Sequence, residues 1–146
     1  MPSPIGNFFM KAIVNSPLHR MLGSNIAVVT VEGRKTGKRY ATPVNAVRDG
    51  DVSTVVSLRS RTWWRNLRDG RIATLRASGK QYSVRGEVLE SHSEVVDGLR
   101  HFLQRHPGYA KYYGVRLASD GRPMQDDLER VADERVLIRL SSATPQ

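Results

Sequence analysis

The stretch IAVVTVEGRKTGKRYATPVNAVRDGDVSTVVSL, residues 26–58, decides how this chain folds. Ile26 to Glu32 is a β-branched run bounded by Gly23 and Gly33, and Tyr40 to Arg48 is a second extended run. Pro43 lies inside that second run and has no N–H to give a ladder, which assigns it to an edge or a bulge. Asp49-Gly50-Asp51 is a turn, and Val52 to Leu58 is a third strand. Neither connection is long enough to hold a crossover helix. A doubly wound parallel sheet is therefore excluded, and the three strands are antiparallel neighbours.

The pattern continues toward the C-terminus. A short helix starts near Thr62 and is closed by Asn66 to Gly70. Arg71 to Ala77 is a fourth strand, Ser78-Gly79-Lys80 a turn and Gln81 to Glu90 a fifth strand. Ser93 to Arg105 carries Val95, Val96, Leu99, Phe102 and Leu103 at helical spacing. Pro107-Gly108 breaks that helix, and Tyr109 to Leu117 reads as a short second one. Ala118 to Glu134 reads as a polar excursion, with Asp126-Asp127 as a surface or cap pair, and Val136 to Leu140 as the last strand. On the N-terminal side, Pro4 to Leu22 has helical periodicity divided by Pro17. The expected organisation is an N-terminal helical segment over residues 1–24, a barrel domain over 25–140 and a disordered tail over 141–146. Strands joined by hairpin-like turns, with helices at the periphery, make this an α+β antiparallel barrel.

Composition narrows the chemistry. The 146 residues contain no cysteine, which excludes a disulfide scaffold, a thiolate metal site and a cysteine nucleophile. The four histidines have no zinc spacing, so no metal is expected. No segment approaches the length of a membrane span, and the N-terminus does not read as a secretory signal. The expected location is cytoplasmic, with peripheral membrane contact through the N-terminal helix left open. The 23 Lys and Arg exceed the 14 Asp and Glu, giving a net charge of +9. Nucleic acid, an anionic surface or a small polyanion would each suit that sign, but no recognised nucleic-acid motif accompanies it.

Three motifs carry the chemistry. Gly33-Arg34-Lys35-Thr36-Gly37-Lys38-Arg39 joins two strands and combines two glycines with four cations. Its glycines allow backbone N–H groups to turn inward while its cations neutralise an anion, so a phosphate or polycarboxylate is the natural ligand. It lacks the spacing and the strand-to-helix context of a Walker loop. Thr62-Trp63-Trp64-Arg65-Asn66-Leu67 holds both tryptophans, which suits either core packing or stacking on a planar ligand. Arg59, Arg61, Arg65, Arg68 and Arg71 surround it and would suit anion contacts. Tyr109, Tyr112 and Tyr113 follow His106-Pro107-Gly108. On a helix, Tyr109 and Tyr112 would share one face, where phenols can stack, hydrogen-bond or donate a proton.

In this order, the G-R-K-T-G loop, the strand with T-P, the D-G-D turn, the strand ending in Ser57 and the W-W-R-N-L-R-D-G segment resemble a known family. It is the deazaflavin (F420)-dependent nitroreductase and quinone reductase family of the split β-barrel flavin-reductase-like superfamily. The resemblance covers about Ile26 to Leu140. It implies a six-stranded split barrel and reduced F420 as hydride donor to a small-molecule acceptor: a quinone, a nitroaromatic or an activated enone. Lys35 matches the family's phosphate-contacting lysine. Arg34, Lys38 and Arg39 lie beside it, and Arg39 and Lys38 are adjacent to Tyr40, where an arginine is frequent in the family. Thr42, Pro43 and Val44 match the segment along the coenzyme, and Trp63 and Asn66 match the W-x-x-N-L motif. Ser57 matches a serine that hydrogen-bonds the substrate. His106, Tyr109, Tyr112 and Tyr113 match a tyrosine-rich substrate-side segment, with His106 in place of a tyrosine. A catalytic set of Ser57, Tyr109 and Tyr112 follows from this resemblance.

Only Leu58 to Thr62 separate the serine from the tryptophan, where the family carries a longer glycine-rich loop. The short loop leaves open a non-catalytic split barrel binding FMN or another ligand, and the basic charge with interleaved Trp and Tyr leaves open a nucleic-acid binder. Split barrels often pair, so a homodimer is also expected.

Overall fold

The computed structural model describes residues 25–33 and 35–143. The expected N-terminal helix, Arg34 and residues 144–146 lie outside them.

The sheet has seven strands: β1 (Ile26–Glu32), β2 (Arg39–Asn45), β3 (Val47–Asp49), β4 (Val52–Leu58), β5 (Ile72–Ala77), β6 (Lys80–Leu89) and β7 (Arg135–Ser142). Their order is β2-β1-β5-β6-β7-β4-β3. The pairs β1–β2, β1–β5, β3–β4 and β5–β6 are antiparallel. The α+β antiparallel expectation holds, but the strand count is seven rather than six. The run read as one strand, Tyr40 to Arg48, divides at Ala46, whose N–H donates to the Asn25 carbonyl at 2.8 Å one step beyond the Ile26–Asn45 pair, after which the chain changes partner. The part before the break pairs with β1 and the part after it with β4, so a single residue separates the two ends of the strand order. β7 also continues through Ser142, which places Ser141 and Ser142 in the sheet rather than in a tail.

Two compact units are distinguished. The first takes residues 25–55, 62–87 and 138–143 of those described. In β1, Ala27, Val29 and Val31 are buried while Ile26, Val28 and Thr30 are half-buried, the period-2 alternation expected of a strand with one core face. Ala73 and Leu75 of β5 and Val84 of β6 extend that core. The β5–β6 hairpin turns through Ser78 and Gly79, both at positive φ, as a two-residue primed turn requires. Trp63–Gly70 is a 3₁₀ segment with non-helical backbone at Arg68 and Asp69, and it buries Trp63, Trp64 and Leu67. Leu67 lies so close to β6 that a Cβ on Gly86 would come within 2.9 Å of its Cβ, so the packing admits only glycine there.

The second unit takes residues 56–61 and 88–137. Its first helix, α1 (His92–Arg105), begins in a capping box. Glu94 N–H donates to Ser91 Oγ at 3.2 Å, and the Ser91 N–H donates back to the Glu94 carboxylate at 3.4 Å. Its buried face is Val95, Val96, Leu99, Phe102 and Leu103, as the spacing predicts. The second helix, α2 (Gln125–Glu134), packs against α1. It lies where the sequence reads as a polar excursion and buries Leu128, Val131 and Ala132. The expected helix over Tyr109 to Leu117 is not formed. A 3₁₀ turn, Pro107–Tyr109, passes into further turns, and Gly114 at φ +73° ends them. No helix among the described residues is long and apolar enough to cross a membrane.

Candidate active site

The basic turn is built by its glycines. Gly33 N–H donates to the Lys38 carbonyl at 2.7 Å, and Gly37 N–H donates to the Gly33 carbonyl at 3.0 Å. Gly37 sits at φ +70°, where a side chain would be strained. Lys38 N–H donates to Thr36 Oγ1 at 3.3 Å. Lys35, Lys38 and Arg39 are all exposed on this closed turn, and none of the ion pairs among the described residues involves them. Three cations held together on a short rigid turn favour a multiply charged anion.

The turn leads into β2, where Thr42 and Val44 are buried on the core face and Pro43 is half-buried on the opposite one. Pro43 stands at the end of the strand order, on an edge, as its missing N–H requires. Asn45 follows. It is 7% exposed, and among the described residues its Oδ1 and Nδ2 are the buried side-chain polar atoms without a hydrogen-bond partner. A buried amide left in that state costs about 1–3 kcal/mol of stability. The sequence reading stopped at Val44 and missed Asn45. The signal was a residue of poor strand propensity between Val44 and Ala46.

Trp63 and Trp64 are both buried, at 7% and 2% exposed, so the core reading applies to each. Asn66 Nδ2 donates to the Trp63 carbonyl at 3.3 Å and stiffens the turn between them. The guanidinium carbons of Arg65 and Arg68 lie 5.5 and 5.3 Å from the Trp64 ring centroid. Arg59, expected among anion-contacting cations, has another role. Its guanidinium donates to the carbonyls of Glu90 (2.6 Å) and Ala132 (2.8 and 3.1 Å), and its backbone N–H donates to that of Glu134. It thereby satisfies carbonyls that the end of α2 leaves open.

The remaining candidates belong to the second unit. Ser57 is buried, with Oγ donating to the Leu58 carbonyl at 3.4 Å. His106, Tyr109 and Tyr112 are half-buried, and Tyr113 is buried. Tyr109 contacts His106 edge-on at 6.4 Å between centroids and Phe102 at 5.6 Å. Without the expected helix, Tyr109 stacks on Tyr113 at 6.5 Å rather than sharing a helix face with Tyr112. Tyr112 meets Tyr113 edge-on at 5.0 Å, and the Arg135 guanidinium covers Tyr113 at 5.0 Å. Tyr113 is thus the shared support of the two outer phenols. Nearby, Asp127 is not the surface residue expected from sequence. It accepts from the Arg116 backbone N–H (2.8 Å) and guanidinium (2.9 Å), which hold its carboxyl down to about 2.

Among the described residues no cluster of histidine and carboxylate side chains could hold a metal. The exposed cations suit the phosphate and polyglutamate of F420, and the orphaned Asn45 amide suits a heterocycle with complementary donors and acceptors. The residues present therefore fit that group.

The comparisons with known proteins agree. A family model described as F420H(2)-dependent quinone reductase matches residues 9–116, and the chain belongs to this family. It is accordingly an oxidoreductase, and its cofactor is F420. Among solved structures it resembles an F420-H2 dependent reductase, FDR-A, at 16% identity, with 79% of this chain and 93% of that one covered and a TM-score of 0.50. A domain-swapped dimer is 18% identical, with 94% and 99% covered and a TM-score of 0.50. A protein assigned as a pyridoxamine 5'-phosphate oxidase from Listeria innocua is 10% identical, with 87% and 91% covered and a TM-score of 0.53. At these identities the likeness concerns the fold. No curated protein matches the chain.

Proposed function

We propose that the protein transfers a hydride from reduced F420 to a quinone, a nitroaromatic or an activated enone. The observation that carries this reading is the exposed Lys35–Lys38–Arg39 turn running directly into β2. Bound reduced F420 supplies the hydride. The cations of the turn, with Arg34 just before them in sequence, hold the anionic end of the cofactor. Thr42, Pro43 and Val44 carry the backbone that lies along its ring, while Trp63 and Asn66 stiffen the segment behind it.

Ser57, Tyr109 and Tyr112 orient the acceptor, and His106 and Tyr113 support them. As the acceptor gains negative charge at oxygen, a phenol O–H of Tyr109 or Tyr112 donates to it and supplies the proton. Tyr113 fixes both phenols through its ring contacts, and burial under Arg135 fixes Tyr113. One structural neighbour is a domain-swapped dimer, which supports a homodimer here; sedimentation at micromolar concentration checks it.

The test is anaerobic oxidation of reduced F420, followed by absorbance, with one quinone, one nitroaromatic and one activated enone. Acceptor-dependent oxidation is expected. Tyr109→Phe and Tyr112→Phe should lower kcat roughly 10- to 100-fold between them, with F420 affinity retained. Wild-type rates in both variants and in their double mutant would remove the phenols from the reaction.

A further inference from the structure

Asn45 carries the most specific unused chemistry in the described molecule. It is paired with Ile26 across the β1–β2 ladder. Its side chain therefore shares a face with Ile26, Val28, Thr30, Ala41 and Pro43, which are all half-buried. Thr74 and Arg76 of β5 continue that face through their pairing with Thr30 and Val28. This is the face away from the core set Ala27, Val29, Val31 and Val44. It forms a half-open wall of small and β-branched side chains with one buried carboxamide at its end.

We propose that this carboxamide recognises the imide edge of the deazaflavin pyrimidine ring. The inference rests on the reading of the first unit as the F420 site. An imide presents an N–H donor flanked by two carbonyl acceptors. A carboxamide presents an acceptor oxygen beside an N–H₂ donor, so the two form a pair of antiparallel hydrogen bonds. A phosphate or carboxylate would satisfy Nδ2 and leave Oδ1 facing like charge. Water would satisfy either atom but would select no ligand. Both atoms of Asn45 are unpartnered, so the pairing does not depend on which way the amide is turned. The side chains nearest to it on that face, Ile26, Val28 and Pro43, are apolar, as the face of a ring would need. The basic turn ends six residues earlier, at Arg39, on the same strand.

The experiment has two arms. In the first, wild type, Asn45→Leu and Asn45→Ala are titrated with oxidised F420 by fluorescence, and their melting temperatures are measured without ligand. In the second, the ring alone is used: a 5-deazaflavin and its N3-methyl derivative, which lacks the imide N–H. Asn45→Leu should melt at or above the wild-type temperature, because an unsatisfied amide is removed, and should bind F420 roughly 5- to 100-fold more weakly. N3-methylation should weaken binding to wild type by a similar factor and matter little to Asn45→Leu. The methylation arm reads the wild-type protein, so it stands even if a variant fails to fold. Equal binding of the two ring compounds to wild type would overturn the inference. So would unchanged F420 affinity in Asn45→Leu, including the case where its melting temperature falls, which would make Asn45 a structural residue. If wild type binds neither F420 nor the deazaflavin ring, the reading of the first unit falls and this inference with it.

Discussion

Lys35 stands exposed on a turn whose shape is set by Gly33 and Gly37, and the role proposed for it depends on charge rather than packing. Lys35→Ala should raise the F420 dissociation constant at least several-fold without changing the melting temperature. An unchanged constant would remove Lys35 from the site. The conformation of the turn was legible in the sequence because its glycines stand where the backbone has to close. Asn45 and Asp127 were not legible, because their meaning lies in what surrounds them. Asn45 is buried without partners, and Asp127 is buried with two. The Asp127 carboxyl is held to about 2, below its ordinary 3.8, by the guanidinium and N–H of Arg116. Between those values the unfolded chain binds a proton that the folded one refuses. The stabilisation is complete above about pH 4 and is lost as pH falls toward 2. The melting temperatures of wild type and Asp127→Asn should therefore differ at pH 6 and converge at pH 2–3. A constant difference across that range would mean that the carboxylate charge is not what stabilises the fold.

At the scale of elements, strands and hairpins were the easiest to read. Period-2 burial in β1 and the Ser78-Gly79 turn appear directly in the residue pattern. The division of β2 from β3 was hidden because Ala46 has no turn chemistry of its own. The strand divides there because the chain exchanges one partner, β1, for another, β4, without a turn. α2 was missed for a related reason. Met124 occupies its N-cap without a side-chain hydrogen bond, and its apolar stripe is short among charged residues. Conversely, the aromatic run Tyr109 to Tyr113 suggested a helix that Gly108 and Gly114 prevent. Two substitutions test the packing of these elements. Gly86→Ala should destabilise by about 1–3 kcal/mol, because the new Cβ meets Leu67 at 2.9 Å between β6 and the 3₁₀ segment. Ser91→Ala should cost about 1 kcal/mol by opening the α1 capping box. Urea unfolding followed by circular dichroism measures both, and a neutral Gly86→Ala would mean that Leu67 has room to yield.

Over the whole molecule, the proposed site gives the net charge of +9 a specific use. Family membership supplies a polyanionic cofactor, and the described structure supplies an exposed basic turn beside an edge strand. That pairing makes ionic strength a lever. F420 affinity should fall as salt rises from 50 to 500 mM, and the fall should be smaller in a Lys35→Ala, Lys38→Ala double variant. The short Leu58 to Thr62 connection was the feature that set this chain apart from its family in sequence. In the structure it holds Arg59, which fastens the carbonyls of Ala132 and Glu134 and so gives those residues a task in the second unit. The most direct measurement is a fluorescence titration of the purified protein with F420, with FMN in parallel and buried Trp63 and Trp64 as reporters. Saturable binding of F420 in the micromolar range, with none of FMN, is the expected result. Binding of FMN with no binding of F420 would contradict the deazaflavin reading and leave the family likeness as one of fold alone.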